Sequence, residues 1–360
     1  MSRVCILSAF DFSRMSMVSI YTEYLEKNVI SYDFIYVDKF KDTAKFSAEN
    51  YYPYHVDKCQ NVSLPVKFVH YWKMRNFVKE ILQKNSYEFI ITWGELTAFL
   101  FADILSKNMP GRYCLNIRDY FYNRVPVVWW RLKTAISHAA FGTVSSEDYL
   151  NYLPQGEYIM MHSLNRRLTS ELSFLKDKRP KDKPLRIMYL GLISRMQYVH
   201  KLIDELGGDE RFELVFAGIG SEQVDAYIEG RNYSNIETYG RFPQEDTVKY
   251  LQKADILYNL YGCHNRHFDT ALSIKLYYAI FMNMPILTFR GTHTNSVAEQ
   301  CGIALTVDGE DFSNLGDKIY DAYYKRDLTS SEVLCRNYLG EVDKSHVALV
   351  QKLDELLMKG

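Results

Sequence analysis

The sequence lacks close cysteine pairs. Its six cysteines (Cys5, Cys59, Cys114, Cys263, Cys301, Cys335) are scattered through 360 residues with no CxxC and no metal-ligand spacing. That pattern argues against a disulfide framework or a structural zinc site, and for a reduced, cytoplasmic chain. No run reaches 18 apolar residues, so no membrane-crossing helix is expected. The amino-terminal run VCILSAF continues into Asp11 and Arg14, which reads as a first strand and not as a signal peptide. Net charge is almost absent: 43 basic against 44 acidic residues leave −1. There is no global field to hold nucleic acid, and any anion site must be local. Asp-x-Asp pairs and His/Asp/Glu clusters at ligand spacing are missing too, so no metal ligand is assigned.

What is present is a globular chain, 47% apolar and 24% charged, long enough for two domains with a core each. Short β-rich runs alternate with helical ones. The spacing predicts strands over 4–8, 32–37, 89–92, 113–117, 141–144 and 158–161. Helical patterns fall between most of them, as over 17–27 and 66–84. After the polar, basic stretch LKDKRPKDKP (175–184) the alternation restarts, with strands over 186–190, 213–217, 236–239, 256–260, 286–289 and 303–307. Such alternation predicts an α/β fold of two Rossmann-like domains with parallel sheets. The expected division is 1–168, 169–344 and a carboxyl-terminal helix over 345–360.

In open α/β sheets, ligands bind outside the carboxyl ends of the strands, so the loops after the strands deserve scrutiny. In the first half these are SAFDFSR (8–14), WGEL (93–96) and RDYFYNR (118–124). In the second they are GLISRM (191–196), GIGSE (218–222), GRFPQED (240–246) and YGCHNRHFDTALSIK (261–275). The second set is rich in glycine and arginine, the composition expected where backbone and guanidinium meet phosphates. GIG alone is weak, because strand-to-helix turns need glycine anyway. One residue looks misplaced. Ser273 is a good N-cap for the helical pattern Ile274, Tyr277, Tyr278, Phe281, and Asn283 can close that helix. Lys275 nevertheless sits in the first turn, where the dipole disfavours a cation. Either it is solvated, or an anion binds at this helix start.

The ordered set RIMYLGLISR, FELVFAGIGSE, NIETYGRFPQEDTVKYLQKADILYNL and SIKLYYAIFMNMPIL resembles the carboxyl-terminal domain of GT-B glycosyltransferases. The nearest likeness is to family-4-like retaining enzymes that build bacterial surface polysaccharides. The resemblance covers 186–307 well and the first half loosely, through SAFDFSR, LNIRDY and AAFGTVSSEDYL. It implies two Rossmann-like domains facing across a cleft, with a nucleotide diphosphate sugar as co-substrate, UDP-linked, and no further cofactor. It places Gly191 and Arg195 at the diphosphate, with Gly218 in the neighbouring turn. Gly240, Arg241 and Phe242 would face the base, and Ser273, Ile274 and Lys275 the phosphates. Where the family has a ribose-binding Glu, this chain has Tyr278. The acidic residue expected eight positions earlier falls on Thr270, with Asp269 next to it, and the usual glycine is Asn283. In the first domain, Arg118 and Asp119 stand where the family often has His-Asp at the sugar. Asp119 is the candidate to orient or deprotonate an acceptor hydroxyl, or else a cap for the following segment. Arg14, His264, Arg266 and His267 are further loop candidates, each with a plain solvated alternative.

Two stretches, 66–84 and 127–133, mix aromatic and basic residues. Such a mixture suits the headgroup region of an anionic membrane, or a helix packing its rings inward and snorkelling its lysines. The expected partners are therefore a nucleotide-sugar donor, a glycan or lipid-linked glycan acceptor and a peripheral contact with the inner face of the cell membrane; nucleic acid is not among them. Two rivals share the fold: a nucleotide-sugar epimerase, and a pseudoenzyme that binds a nucleotide-sugar or a partner transferase.

Overall fold

A computed structural model describes residues 3–15, 17–39, 46–56, 64–119, 122, 124–175 and 177–358. Residues 120, 121 and 123 of the loop after Ile117, residue 176 of the basic stretch and residues 359–360 lie outside the described residues. So do the side chains of Ser13, Leu64, Pro65, Val66, Lys67, Phe68 and His70. The chain divides into two compact units, Met1–His162 with Lys344–Gly360, and Ser163–Asp343.

The first unit is built on β1 (Arg3–Ser8), β2 (Ser31–Asp38), β3 (Asn50–His55), β4 (Phe89–Trp93), β5 (Tyr113–Ile117), β6 (Phe141–Val144) and β7 (Tyr158–Met160). They form one sheet in the order β3-β2-β1-β4-β5-β6-β7, parallel throughout. Val4, Cys5, Ile6 and Leu7 of β1 and Ile90 and Ile91 of β4 are wholly buried. A strand covered on both faces reads as a continuous apolar run, which is why these were legible in the sequence. β3 was not foreseen. NYYPYH carries a proline, which a central strand cannot use, but β3 lies at the sheet edge beside β2, where a missing N–H costs no ladder bond.

The second unit contains β8 (Leu185–Leu190), β9 (Phe212–Ala217), β10 (Ile236–Tyr239), β11 (Ile256–Tyr258), β12 (Ile286–Phe289) and β13 (Ala304–Val307). Their order is β10-β9-β8-β11-β12-β13, again all parallel. In both sheets the order reverses beside the first strand of the unit, so chain segments leave its neighbours in opposite directions. The loops after β1 and β4, and after β8 and β11, therefore flank the reversal at the carboxyl edge, with those after β5 and β9 next to them.

The last helix runs Leu328–Leu357, longer than the 345–360 expected. Asp327 Oδ1 accepts from the N–H groups of Thr329 (3.0 Å) and Ser330 (3.2 Å), which starts the helix early. Ser331, Cys335, Val342, Leu349, Leu353 and Leu357 are its buried positions. The front half hides its apolar stripe behind Ser, Thr, Cys and Gly340. Near the other end, Asp354 accepts from Tyr24 (2.8 Å) and Lys352 pairs with Glu157 (2.6 Å).

Candidate functional site

The loops after β8 and β9 are zipped together through their backbones. Gly191 N–H donates to Ala217 O (2.9 Å) and Ile193 N–H to Ile219 O (2.8 Å). The approach is so close that a Cβ on Gly218 would sit 1.6 Å from the Gly191 carbonyl oxygen. Gly218 is thus fixed by packing. Gly191, by contrast, is exposed at φ 98°, and a Cβ there would meet nothing within 4 Å, so a ligand can come close to its backbone. Gly218 N–H also donates to Tyr239 O (2.8 Å), which brings the turn at Gly240 beside the same loop. Gly240 and Arg241 are exposed, and the Phe242 ring leans on Tyr250 at 4.7 Å.

Arg195 precedes the helix Met196–Leu206 in a left-handed backbone, φ 58° and ψ 49°. For a non-glycine residue that conformation costs roughly 1–2 kcal/mol, a strain of the kind that gathers at functional sites. Its exposed guanidinium lies 4.6 Å from the centre of the Phe268 ring. Beside Phe268, Asp269 Oδ1 is buried with no hydrogen-bond partner, and burial pushes that carboxyl upward. His264 also has a left-handed φ, 59°, and is exposed, as is His267; Arg266 is half-buried.

The helix Ile274–Met282 begins as expected: Ser273 Oγ accepts from Lys275 N–H at 3.2 Å. The solvated reading of Lys275 does not hold. The residue is 5% exposed. Its Nζ donates to the Tyr261 hydroxyl and lies 4.6 Å from the Tyr189 ring centre and 4.5 Å from that of Tyr261. Tyr189 in turn stacks on Tyr258 at 4.5 Å. Among the described residues no carboxylate pairs with this ammonium, and burial draws it down to about 7. Ile274 is half-buried beside it. Tyr278, in the family's glutamate position, is 5% exposed and pushed up to about 12 by burial. It presents a neutral phenol where a carboxylate would accept two hydrogen bonds. Asn283 closes the helix at φ 52° and ψ 42°. Its Nδ2 donates to Leu328 O (3.2 Å), its Oδ1 accepts from the Cys335 thiol (3.9 Å), and its carbonyl accepts from Arg326 (3.0 Å).

In the first unit, Asp119 is exposed and Arg118 half-buried after β5. Arg118 Nη1 donates to Met161 O at 3.1 Å, and its carbonyl accepts from Ser145 (3.0 Å) and Tyr149 (3.2 Å). Sequence reasoning missed Glu95, the first residue of the helix Glu95–Asn108 after β4. It is 3% exposed, and its Oε1 accepts from the backbone N–H groups of both Arg118 and Asp119, the latter at 2.5 Å. Burial first, and then the neighbouring Asp119 charge, push Glu95 up to about 8. An acid in a helix's first turn is ordinary, so nothing in WGEL marked it. His162 is drawn down to about 4 by burial and by Arg118. Arg14 is exposed.

The two aromatic and basic stretches meet on the first unit. The Arg75 and Arg131 guanidiniums lie 4.4 and 5.6 Å from the Trp72 ring centre, and both bind Asp103 at 2.6 Å. Trp130 and Val127, on the helix Pro126–Ser137, are 72% and 59% exposed. Among the described residues no helix is long and apolar enough to cross a membrane, and no group of three or more His, Cys, Asp or Glu is placed to hold a metal ion.

No protein-family model matches the sequence, and no curated protein matches it. Solved structures do match in fold. A sucrose-phosphate synthase from Thermosynechococcus elongatus is 12% identical, with 100% of each chain covered and a TM-score of 0.73. Anabaena Alr3699/HepE, in complex with UDP and glucose, is 12% identical over 100% of each chain, TM-score 0.64. A Listeria monocytogenes protein proposed to be a UDP-N-acetylglucosamine 2-epimerase is 12% identical over 99% of this chain and 97% of its own, TM-score 0.68. The fold is therefore the two-domain, Rossmann-like class to which GT-B glycosyltransferases belong.

The two glycines of the zipped loops differ in what a methyl would do. Gly218→Ala should cost at least ~3 kcal/mol or prevent folding, because the clash is with backbone. Gly191→Ala should cost only the roughly 1–2 kcal/mol of a positive φ. Urea unfolding of the two variants checks the contrast, and equal losses would mean that the loops are not held as described.

Proposed function

We propose that the chain is a glycosyltransferase that moves a sugar from a nucleotide diphosphate donor, with UDP as carrier, to a sugar acceptor. The observation that carries this reading is Lys275: a buried ammonium at a helix start, held by tyrosines and, among the described residues, paired with no carboxylate. Leaving a cation so placed is costly unless an anion completes the site. A diphosphate would find there Lys275, the helix N-terminus, the open backbone at Gly191 and the Arg195 guanidinium. These fixed groups could stabilise charge growing on the leaving diphosphate. On this reading Gly240, Arg241 and Phe242, on the same unit, meet the base, and Asp269 accepts from a sugar hydroxyl. In the first unit Asp119, with Arg118, meets the acceptor.

The finer reading is that the acceptor is a lipid-linked glycan of a surface polysaccharide and that the protein rests on the inner face of the cell membrane. The exposed Trp130 and Val127 beside a basic helix support it. The proteins of similar fold include an epimerase candidate as well as a sucrose-phosphate synthase, so the fold alone does not separate the rival activities. Incubation with UDP-sugars does: UDP release that rises with added sugar acceptor supports transfer, a changed sugar still linked to UDP supports epimerisation, and binding without turnover supports a pseudoenzyme.

Three outcomes are expected. Lys275→Gln should weaken UDP binding by about 1.5–3 kcal/mol, roughly 10- to 100-fold, by calorimetry. The sign of its pH dependence follows from a folded value of about 7 against about 10.4 in the unfolded chain. Between these values the unfolded state binds the extra proton, so the lysine's penalty on stability is present at pH 6 and relieved as pH rises. The apo variant should thus melt higher than wild type at pH 6, while wild-type UDP affinity falls between pH 6.5 and 8.5 more steeply than the variant's. Equal affinities would remove Lys275 from the site.

Secondly, turnover should survive excess EDTA; complete loss restored by Mg²⁺ or Mn²⁺ would overturn the fixed-cation mechanism. Thirdly, the protein should sediment with phosphatidylglycerol vesicles and fail to do so with phosphatidylcholine alone. The double variant Val127→Asp, Trp130→Asp should stay in the supernatant with both. Unchanged sedimentation of that variant would rule out this face.

A further inference from the structure

The first unit carries a pair of carboxyl groups in contrasting surroundings. Asp119 is exposed to water, whereas Glu95 is buried directly behind it. Glu95 follows β4 and Asp119 follows β5, so the parallel pairing of these strands sets the two side by side at the carboxyl edge. One Glu95 oxygen, Oε1, takes both the Arg118 and the Asp119 backbone N–H groups. That fixes the peptide from which the Asp119 side chain departs. The Arg118 carbonyl is clamped from the other side by Ser145 and Tyr149. Among the described residues, the charged and titratable groups facing Glu95 are Asp119 and Arg118 on the loop after β5 and Tyr149 on the turn after β6. His162, after β7, is set against Arg118.

Holding a loop does not require an acid. A glutamine or a backbone carbonyl would accept two N–H groups without placing an ionisable group in a dry pocket. A pair of carboxyls whose surroundings separate their protonation is instead the pattern by which sites divide acid and base roles. We propose that Glu95 is a positioning residue for Asp119: it fixes the direction in which the Asp119 carboxylate meets an acceptor hydroxyl, and its charge sets the pH range in which Asp119 does so. This rests on the reading of Asp119 as the acceptor group. With Glu95 protonated, Asp119 carries the only negative charge of the pair and accepts the hydroxyl's hydrogen bond. Once Glu95 ionises, it holds the two N–H groups still more strongly, but the adjacent carboxylates repel and the Asp119 carboxylate is turned away from the acceptor hydroxyl.

The experiment has two arms, run on the full chain and on Glu95→Gln and Glu95→Ala. In the first, without substrate, amide proton shifts of selectively ¹⁵N-labelled Arg118 and Asp119 are followed from pH 6 to 9.5. Both should titrate together in wild type with a midpoint near 8, as burial of Glu95 implies, and stay flat in Glu95→Gln. Flat wild-type shifts would overturn the inference. In the second arm, UDP-glucose is the donor and the acceptors are a pool of free hexoses, hexose 6-phosphates and their methyl glycosides. Wild-type kcat/KM for the acceptor should fall above about pH 8. Glu95→Gln should match wild type at pH 6.5 and lose that alkaline limb, and Glu95→Ala should lose about tenfold or more in kcat through misplacement with donor KM unchanged. An alkaline limb retained in Glu95→Gln would overturn the inference while leaving transfer intact. Titrating amides with no acceptor-dependent UDP release would instead overturn the transfer reading, and the assignment of Asp119 with it.

Discussion

The reversal of strand order beside β8 is the constraint on which the second unit depends. Because β8 lies between β9 and β11, the loops after these three strands must meet at one edge. Their meeting demands that backbone pass backbone at contact distance, and only glycine at 218 permits it. From this follow the open backbone at Gly191, the strained start of the helix at Met196, and the position of Tyr189 beneath Lys275. The first unit has the same reversal beside β1, and one strand further on the parallel pairing of β4 with β5 brings Glu95 to Asp119. One rule of parallel-sheet topology thus places both groups of candidate residues.

Two buried charges, one in each unit, are met in opposite ways. Asp33 in the first unit is fully buried, but Arg3 (2.7 Å), Tyr87 (2.6 Å) and Asn50 (3.0 Å) all donate to it; it is a satisfied structural anchor. Lys275 has hydroxyl and ring partners that ease its burial without neutralising it. Asp269 keeps an unpartnered oxygen a few residues before it. Buried polar groups left incomplete need an explanation, and for Lys275 and Asp269 a charged, hydroxyl-bearing ligand supplies one.

Much of the fold was legible because central parallel strands are unbroken apolar runs. The strands over 113–117, 141–144, 236–239 and 286–289 appear as read. What escaped was what such runs do not encode: the edge strand with Pro53, and a helix start dependent on Asp327. At the site, glycines and Lys275 stood out by residue type and place. Glu95 did not, because an acid after a strand and before a helix is unremarkable until burial is known. The tyrosines around Lys275 were equally hidden: among 29 tyrosines, nothing in the sequence marks Tyr189 and Tyr261 as neighbours of one lysine 14 or more positions away. Long-range contact, not local pattern, made these residues matter.

Asn283 bears on how this chain can change. A left-handed helix end is ordinarily the place where glycine is most at home, and the resembling family has glycine there. Here the asparagine amide also ties the helix end to Leu328, and its carbonyl oxygen receives the Cys335 thiol, both belonging to the last helix. Glycine would satisfy the backbone and abandon those partners, leaving the Leu328 carbonyl without this donor inside the fold. Asparagine at 283 is thus tied to the fold by its side chain as well as by its backbone, and glycine is no neutral alternative there. Glycine at this position would release the start of the last helix, the element that runs on from the second unit into the first.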